Sequence, residues 1–194
     1  ELGEVVTDDR AIFETICGTY GVGAEQLVTR GSVKSRVDEI FTGHGLKIRY
    51  YEDKMVSLAA LSGIASQLHD ALRERVWLKS GAYLVIQPTE ALTVIDVNTG
   101  KNIAKKEMQE NFLKVNIEAA EEIARQLRLR NISGIIIVDF INLEAKSAES
   151  KLLNLFGAAL KKDPVPTQIV EMTKLGLVEV TRKKIKKSLR ESLS

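Results

Sequence analysis

Apolar residues recur along this chain at two spacings, alternate positions and steps of three or four, and these divide it into strands and helices in turn. Residues 4–7 read as a short strand, followed by a helix that Asp8 or Asp9 caps and whose apolar face carries Ile12, Phe13 and Ile16. Gly18, Gly21 and Gly23 punctuate its end. A strand around 26–29, a second short helix over 35–41, a turn at Gly43-His44-Gly45 and a strand over 46–51 follow. From 57 to 75 the positions Leu58, Leu61, Ile64, Ala65, Leu68 and Leu72 form the stripe of a core-facing helix. His69 lies beside that stripe and reads as packing or surface rather than as a ligand.

At Lys79-Ser80-Gly81 the pattern changes, and a domain boundary is expected there, dividing the chain into 1–78 and 79–194. Strands at 83–86 and 92–96 flank a turn at Pro88, and a polar loop over 98–106 follows. Residues 107–130 read as one long helix with Val115, Ala119, Ala120, Ile123, Ala124 and Leu127 on its inner face. Gly134 opens the most apolar run, Ile135-Ile136-Ile137-Val138, which suits a central strand covered on both sides and ends on Asp139. A helix over 147–162, a turn over 163–166 and strands at 168–172 and 177–181 complete the pattern. The expectation is an α/β fold of mixed sheets with helices on both faces.

The 194 residues are 44% apolar, enough to bury a real core. No apolar run reaches the roughly 18 residues of a membrane helix. The acidic start at Glu1 lacks the basic-then-apolar plan of a signal peptide, so a cytoplasmic location is expected. Cys17 stands alone, and His44 and His69 are the only histidines, so any metal must sit on oxygen ligands. The formal charge of +2 is too small to diagnose a nucleic-acid partner, which leaves charge distribution as the informative quantity.

Two aspartates stand where apolar strands run out: Asp96 in Val94-Ile95-Asp96-Val97-Asn98, and Asp139 in Ile137-Val138-Asp139-Phe140. In open α/β sheets ligands bind outside the carboxyl ends of strands. If the two strands are neighbours, about 4.8 Å apart, the carboxylates can approach one cation. Magnesium prefers oxygen ligands and needs only one or two carboxylates beside its waters and substrate phosphates. Spacing alone leans instead to an Asx turn at Asp96, Asn98, Thr99 and Gly100, with Asp139 capping the next segment. Against that, a carboxylate closing an Ile/Val run is costly to desolvate without a partner. Asn98, two residues on, shares the face of Asp96 if the chain is extended, and can orient a carboxylate or a phosphate.

The segments Ser80-Gly81, Pro88 through Asn98, Asn116 through Arg130, Gly134 through Phe140 and Leu175-Gly176-Leu177-Val178-Glu179 resemble the RNase E/G signature in order and spacing. The resemblance covers about 47–189; the earlier part is only loosely similar. It implies a partial RNase H-like subdomain over 1–78 and a deoxyribonuclease I-like catalytic subdomain over 79–194. It also implies that Asp96 and Asp139 hold the metal, with Asn98 supporting them. Family members hydrolyse single-stranded, often AU-rich RNA and leave a 5′-phosphate, with Mg2+ as cofactor and Mn2+ as a substitute. The resemblance further implies a homodimer. The family's OB-fold RNA-binding domain and 5′-end sensor have no room here, and the chain stops before the paired cysteines that share zinc between subunits, so no zinc is expected. Asn142 stands where many members carry an acid, and Pro166 where they carry a base.

The basic run Arg182-Lys183-Lys184-Ile185-Lys186-Lys187, with Arg190 beyond, reads either as a phosphate-binding arm or as a solvated terminal element. Arg125, Arg128 and Arg130 on the long helix present the same choice. Tyr50, Tyr51 and Trp77 read as packing residues, with base stacking as the alternative. Beside the endoribonuclease, two rival functions remain at this level: a core without useful turnover that binds RNA or partner subunits, and a metal-dependent phosphoesterase for another phosphate.

Overall fold

The computed structural model describes residues 4–19, 28–32, 35–41, 47–99 and 108–193, for 18, 19, 28–32 and 35–41 by backbone alone. The chain divides into two compact units, Glu1–His69 and Asp70–Ser194. The division falls ahead of Lys79 because residues 75–77 pair into the sheet of the second unit.

The first unit contains β1 (Glu4–Thr7), α1 (Arg10–Thr19), β2 (Val28–Ser32), β3 (Ser35–Phe41), β4 (Lys47–Asp53) and the short helix α2 (Leu58–Leu61), and the division falls within the last turn of the short helix α3 (Ile64–Ala71). Its sheet runs β1-β4-β3-β2, with β1 and β4 parallel. Asp9 caps α1, its Oδ1 accepting from the N–H groups of Ala11 at 2.8 Å and Ile12 at 3.1 Å. Phe13 and Cys17 bury against Ile48 and Tyr50, while Ile12 stays half exposed at 50%.

Two helix expectations fail here. Residues 35–41 form β3, paired along their whole length with β4 from Ser35↔Asp53 to Phe41↔Lys47. Seven residues holding Val37, Ile40 and Phe41 suit a pleated surface, and cross-strand pairing outweighs a weak helical spacing. The helix expected over 57–75 breaks at Ser62-Gly63, where Gly63 takes φ +62, and none of α2 or α3 is buried. The turn expected at 43–45 and most of the loop expected at 98–106 lie outside the described residues.

The second unit contains β5 (Arg75–Trp77), β6 (Tyr83–Pro88), β7 (Leu92–Asn98), α4 (Met108–Leu129), β8 (Gly134–Asp139), α5 (Lys146–Leu160), β9 (Thr167–Met172), β10 (Leu177–Arg182) and α6 (Leu189–Leu193). The mixed α/β class expected from the sequence is what forms. The sheet order is β5-β6-β7-β8-β10-β9, with β7 and β8 parallel and every other pair antiparallel. Parallel neighbours need a long crossover, which α4 supplies.

Alternation decides which side of this sheet is covered. Leu84, Ile86, Ile95, Val97, Ile136, Val138, Val178 and Val180 join the buried residues of α4 and α5 in one core. All six inner-face positions expected on the long helix are in it. Burying apolar side chains contributes roughly 1.5–3 kcal/mol each, so this face carries the stability of the unit. The opposite face, with Val85, Val94, Ile135 and Ile137, is partly or fully exposed, and Ile135 retains 50% of its surface. The run Ile135-Ile136-Ile137-Val138 is therefore covered on one side among the described residues, not on both as expected.

Candidate active site

Asp96 and Asp139 are Cα partners in the register between β7 and β8. Both fall out of phase with the buried positions Ile95, Val97 and Val138, so both belong to the open face. Asn98, two residues beyond Asp96 on the same strand, donates from Nδ2 to Asp96 Oδ2 at 2.8 Å. One carboxylate oxygen of the pair is thus held by a neutral donor that leaves its charge intact. Neither aspartate forms an ion pair among the described residues.

A cavity of about 590 Å3 opens where β8 ends, with Asp139, Phe140, Asn142, Lys146, Thr173 and Lys174 on its walls. Asp96 stands beside it on the neighbouring strand. The loop after Asp139 is pinned from below: Asn116 on α4, fully buried, donates from Nδ2 to the Ile141 carbonyl at 2.7 Å, and its Oδ1 accepts from the Ile141 N–H at 3.0 Å. Sequence reasoning passes over Asn116. The signal that could have found it is an amide adjoining Val115 and Ala119 within the apolar stripe of the helix.

Asp139 closes β8 as expected, whereas β7 runs two residues past Asp96 to Asn98; two charges of one sign side by side there, with oxygen donors only, suit a hard divalent cation that keeps part of its water shell. Among the described residues no cluster of three or more His, Cys, Asp or Glu side chains could hold a metal; the oxygen-bearing side chains that the register brings together here are the two carboxylates and the Asn98 amide.

A family model described as the ribonuclease E/G family matches residues 20–185. The chain belongs to the ribonuclease E/G family. It is 42% identical over 185 residues to a ribonuclease E of Nostoc sp., covering 91% of this chain and 27% of the relative. It is 48% identical over 128 residues to a ribonuclease E of Synechocystis sp., covering 66% and 19%, and 40% identical over 147 residues to ribonuclease G of Escherichia coli K12, covering 76% and 30%. The chain thus spans less than a third of the length of these three relatives.

For this ribonuclease E/G family chain, the basic residues expected to meet RNA separate into distinct groups. Arg182 is not available: it is 4% exposed, with its guanidinium bonded to Asp163 Oδ2 at 2.8 Å, Asn131 Oδ1 at 2.8 Å and the Ile132 carbonyl at 3.1 Å. It shares the inward phase of Val178 and Val180, which is the sequence signal that places it inside. Arg125 is exposed but grips Glu122 with two hydrogen bonds, at 2.8 and 2.7 Å. Burial pushes the Glu122 carboxyl up, but hydrogen bonds from Arg125 and Gln126 outweigh it and leave the group below the usual range. Arg125 and Arg128 sit on α4, which packs on the covered side of the sheet, away from the face of the two aspartates. Lys183 and Lys184 are exposed, and Lys184 Nζ lies 3.6 Å from Glu191 Oε1. They follow Arg182, which pairs with Gly134, whereas Leu177 at the other end of β10 pairs with Asp139. The lysines and the carboxylates therefore occupy opposite ends of the sheet.

The aromatic residues divide as well. Tyr50 is buried, 5.7 Å from Phe13 between ring centroids, and Tyr51 is buried with its hydroxyl donating to the Val56 carbonyl at 2.9 Å. Trp77 is exposed on the second unit.

Proposed function

We propose that this chain carries the catalytic centre of an endoribonuclease in which Asp96 and Asp139 hold one Mg2+, with Mn2+ able to replace it. The observation that carries this reading is the in-register pairing of the two aspartates on the open face, with Asn98 donating to Asp96. A divalent cation bound there supplies Lewis acidity to a phosphodiester and lowers the pKa of a coordinated water. Asp96 and Asp139 fix its place through charge. Asn98 orients the Asp96 carboxylate, as a supporting amide does for a ligand. Asn116 holds the backbone of the turn beyond Asp139 through Ile141.

The substrate in this proposal is single-stranded RNA, cut to leave a 5′-phosphate on the downstream product. The names of the relatives support a ribonuclease, and the open sheet face suits an extended strand better than an enclosed small molecule. The residues described require no zinc for this chemistry. No helix among the described residues is long and apolar enough to cross a membrane, and a cytoplasmic place belongs to the same proposal. We also propose that the chain pairs as a homodimer through its second unit, where Ile135, Val170 and Leu175 are exposed. Sedimentation equilibrium over a concentration series tests that part; a monomer at every concentration refutes it.

The test of the central reading is cleavage of end-labelled single-stranded RNA, duplex RNA and DNA across a Mg2+ and Mn2+ titration, with Asp96→Asn as control. Metal-dependent cutting of the single strand alone, lost in the control, is the expected result. Cutting that survives in Asp96→Asn removes the proposed centre.

A further inference from the structure

The open face carries a second group of side chains in the same rows as the aspartates. Trp77 on β5 pairs with Tyr83 on β6, and Tyr83 pairs with Asn98 on β7. In the next row Arg75 pairs with Val85, Val85 with Asp96, and Asp96 with Asp139. At about 4.8 Å between strands, Trp77 stands roughly 10 Å from Asn98 and Arg75 roughly 14 Å from Asp139. Leu84 points the other way into the core, which fixes the phase of this edge.

The local structure holds the group in place. Leu78 N–H donates to the Ala82 carbonyl at 2.8 Å, and Gly81 takes φ +85 in the turn between β5 and β6. Glu118 Oε1 on α4 accepts from the N–H groups of Lys79 at 2.6 Å and Ser80 at 3.3 Å, tying that turn to the helix. The Trp77 and Tyr83 rings lie 5.2 Å apart at 58°. The Arg75 guanidinium sits 4.6 Å from the Tyr83 centroid and 5.8 Å from that of Trp77, and it makes no ion pair among the described residues. Trp77 keeps 63% of its surface in contact with solvent, an unusual exposure for the largest apolar side chain.

We propose that Trp77 and Tyr83, with Arg75 beside them, form a nucleobase-stacking subsite for a single RNA strand whose scissile phosphate lies at Asp96 and Asp139. This rests on the proposed nuclease centre and extends it. Aromatic faces accept any base, and a guanidinium over the rings adds attraction for the adjoining phosphate. The occupant follows from charge and distance: a cation without an ion pair among the described residues, an exposed indole and a half-buried phenol ring stand within a few strand spacings of a carboxylate pair suited to a phosphate-bound cation. A base seated on Trp77 sets the register of the strand across β6 and β7, which makes Trp77 a positioning residue.

Trp77 is the only tryptophan in the chain, so its emission reports directly on this surface. The experiment titrates the full chain with a short oligoadenylate in EDTA, where no cleavage occurs, and with inorganic polyphosphate of matched charge. Saturable quenching by the oligoadenylate and none by polyphosphate is expected. By anisotropy with labelled oligoadenylate, Trp77→Ala weakens binding roughly 10-fold and Trp77→Phe restores most of it. With Mg2+ added, Trp77→Ala raises KM and leaves kcat within about twofold.

Equal quenching by polyphosphate, or unchanged affinity in Trp77→Ala, overturns the subsite. So does an emission blue shift that grows with protein concentration before RNA is added, because a second copy of the chain would then cover Trp77. Saturable quenching without cleavage on adding Mg2+ refutes the nuclease reading and supports the subsite. Cleavage with full affinity in Trp77→Ala does the reverse.

Discussion

The side-chain amide of Asn116 pairs with the backbone of Ile141 through both of its polar atoms, 2.7 Å from Nδ2 to the carbonyl and 3.0 Å from the N–H to Oδ1. A helix thus closes the hydrogen bonds of a loop that leaves the sheet two residues earlier at Asp139. Such a pairing also satisfies a polar side chain that α4 would otherwise bury unmatched.

Replacing Asn116 by Ala leaves the Ile141 N–H and carbonyl without their partner, at a cost of ~1–3 kcal/mol. Urea unfolding should show that loss, with a parallel fall in cleavage rate at temperatures where the variant is still folded. Full activity in folded Asn116→Ala would separate the loop from the centre.

Asp96→Asn and Asp139→Asn should each abolish tight Mn2+ binding in calorimetry, because one carboxylate alone supplies half the charge. Asn98→Ala should weaken it about 10-fold, within the range lost when a supporting hydrogen bond is removed from a metal ligand. Parent-like binding by Asp139→Asn would show that the two strands do not share one ion.

The ion pair of Arg182 and Asp163 should dominate acid stability of the second unit. Burial pushes the Asp163 carboxyl up, but the hydrogen bonds from Arg182 and the Val165 N–H, and the Arg182 charge, outweigh it and hold the group below its ordinary value. A depressed folded value means that its stabilisation is complete above the unfolded value of about 3.9 and is lost as pH falls through the folded one. The stability gap between the parent and Asp163→Asn should therefore be constant near neutrality and close only in strong acid. Arg182→Met strands a buried carboxylate and should cost ~3–5 kcal/mol at neutral pH. A gap that closes already near pH 6 would contradict the assignment.

Lys183, Lys186 and Lys187 are exposed beyond the far end of β10. Any phosphate binding by them is sequence-independent, so Lys186→Ala with Lys187→Ala should weaken RNA binding and leave kcat unchanged. The salt slope should fall by about 1 for each phosphate that a lysine no longer neutralises. Anisotropy across a salt series reads this. An unchanged slope would assign the lysines to solvation alone.

Most of residues 83–182 was legible before folding. The apolar run over 92–97 and a period near 3.6 over 115–127 specify a strand and a helix, and on the helix the period also specifies which side chains face inward; on the strand, folding turns Thr93 inward and Val94 outward. The strand-end position of Asp139 follows from the same pattern, whereas that expected for Asp96 does not hold, since β7 continues to Asn98. The adjacency of the two aspartates does not follow from it, because local periodicity holds no information about which strands pair; the α4 crossover brings β8 beside β7 and sets the two acids in register. Tertiary pairing likewise turned residues 35–41 into a strand, and Gly63 at φ +62 ended the helix expected over 57–75. Arg182 shows the limit from the other side: its charge places it in a basic tail, but its phase on β10 and a waiting Asp163 carry it inside. Trp77 is the converse, an apolar residue that the edge position of β5 leaves in water. Sequence determined most elements of the second unit and the inner face of α4 because those depend on neighbours a few residues away. The site depended on bringing residue 96 beside residue 139 across a whole helix, which only the folded sheet could do.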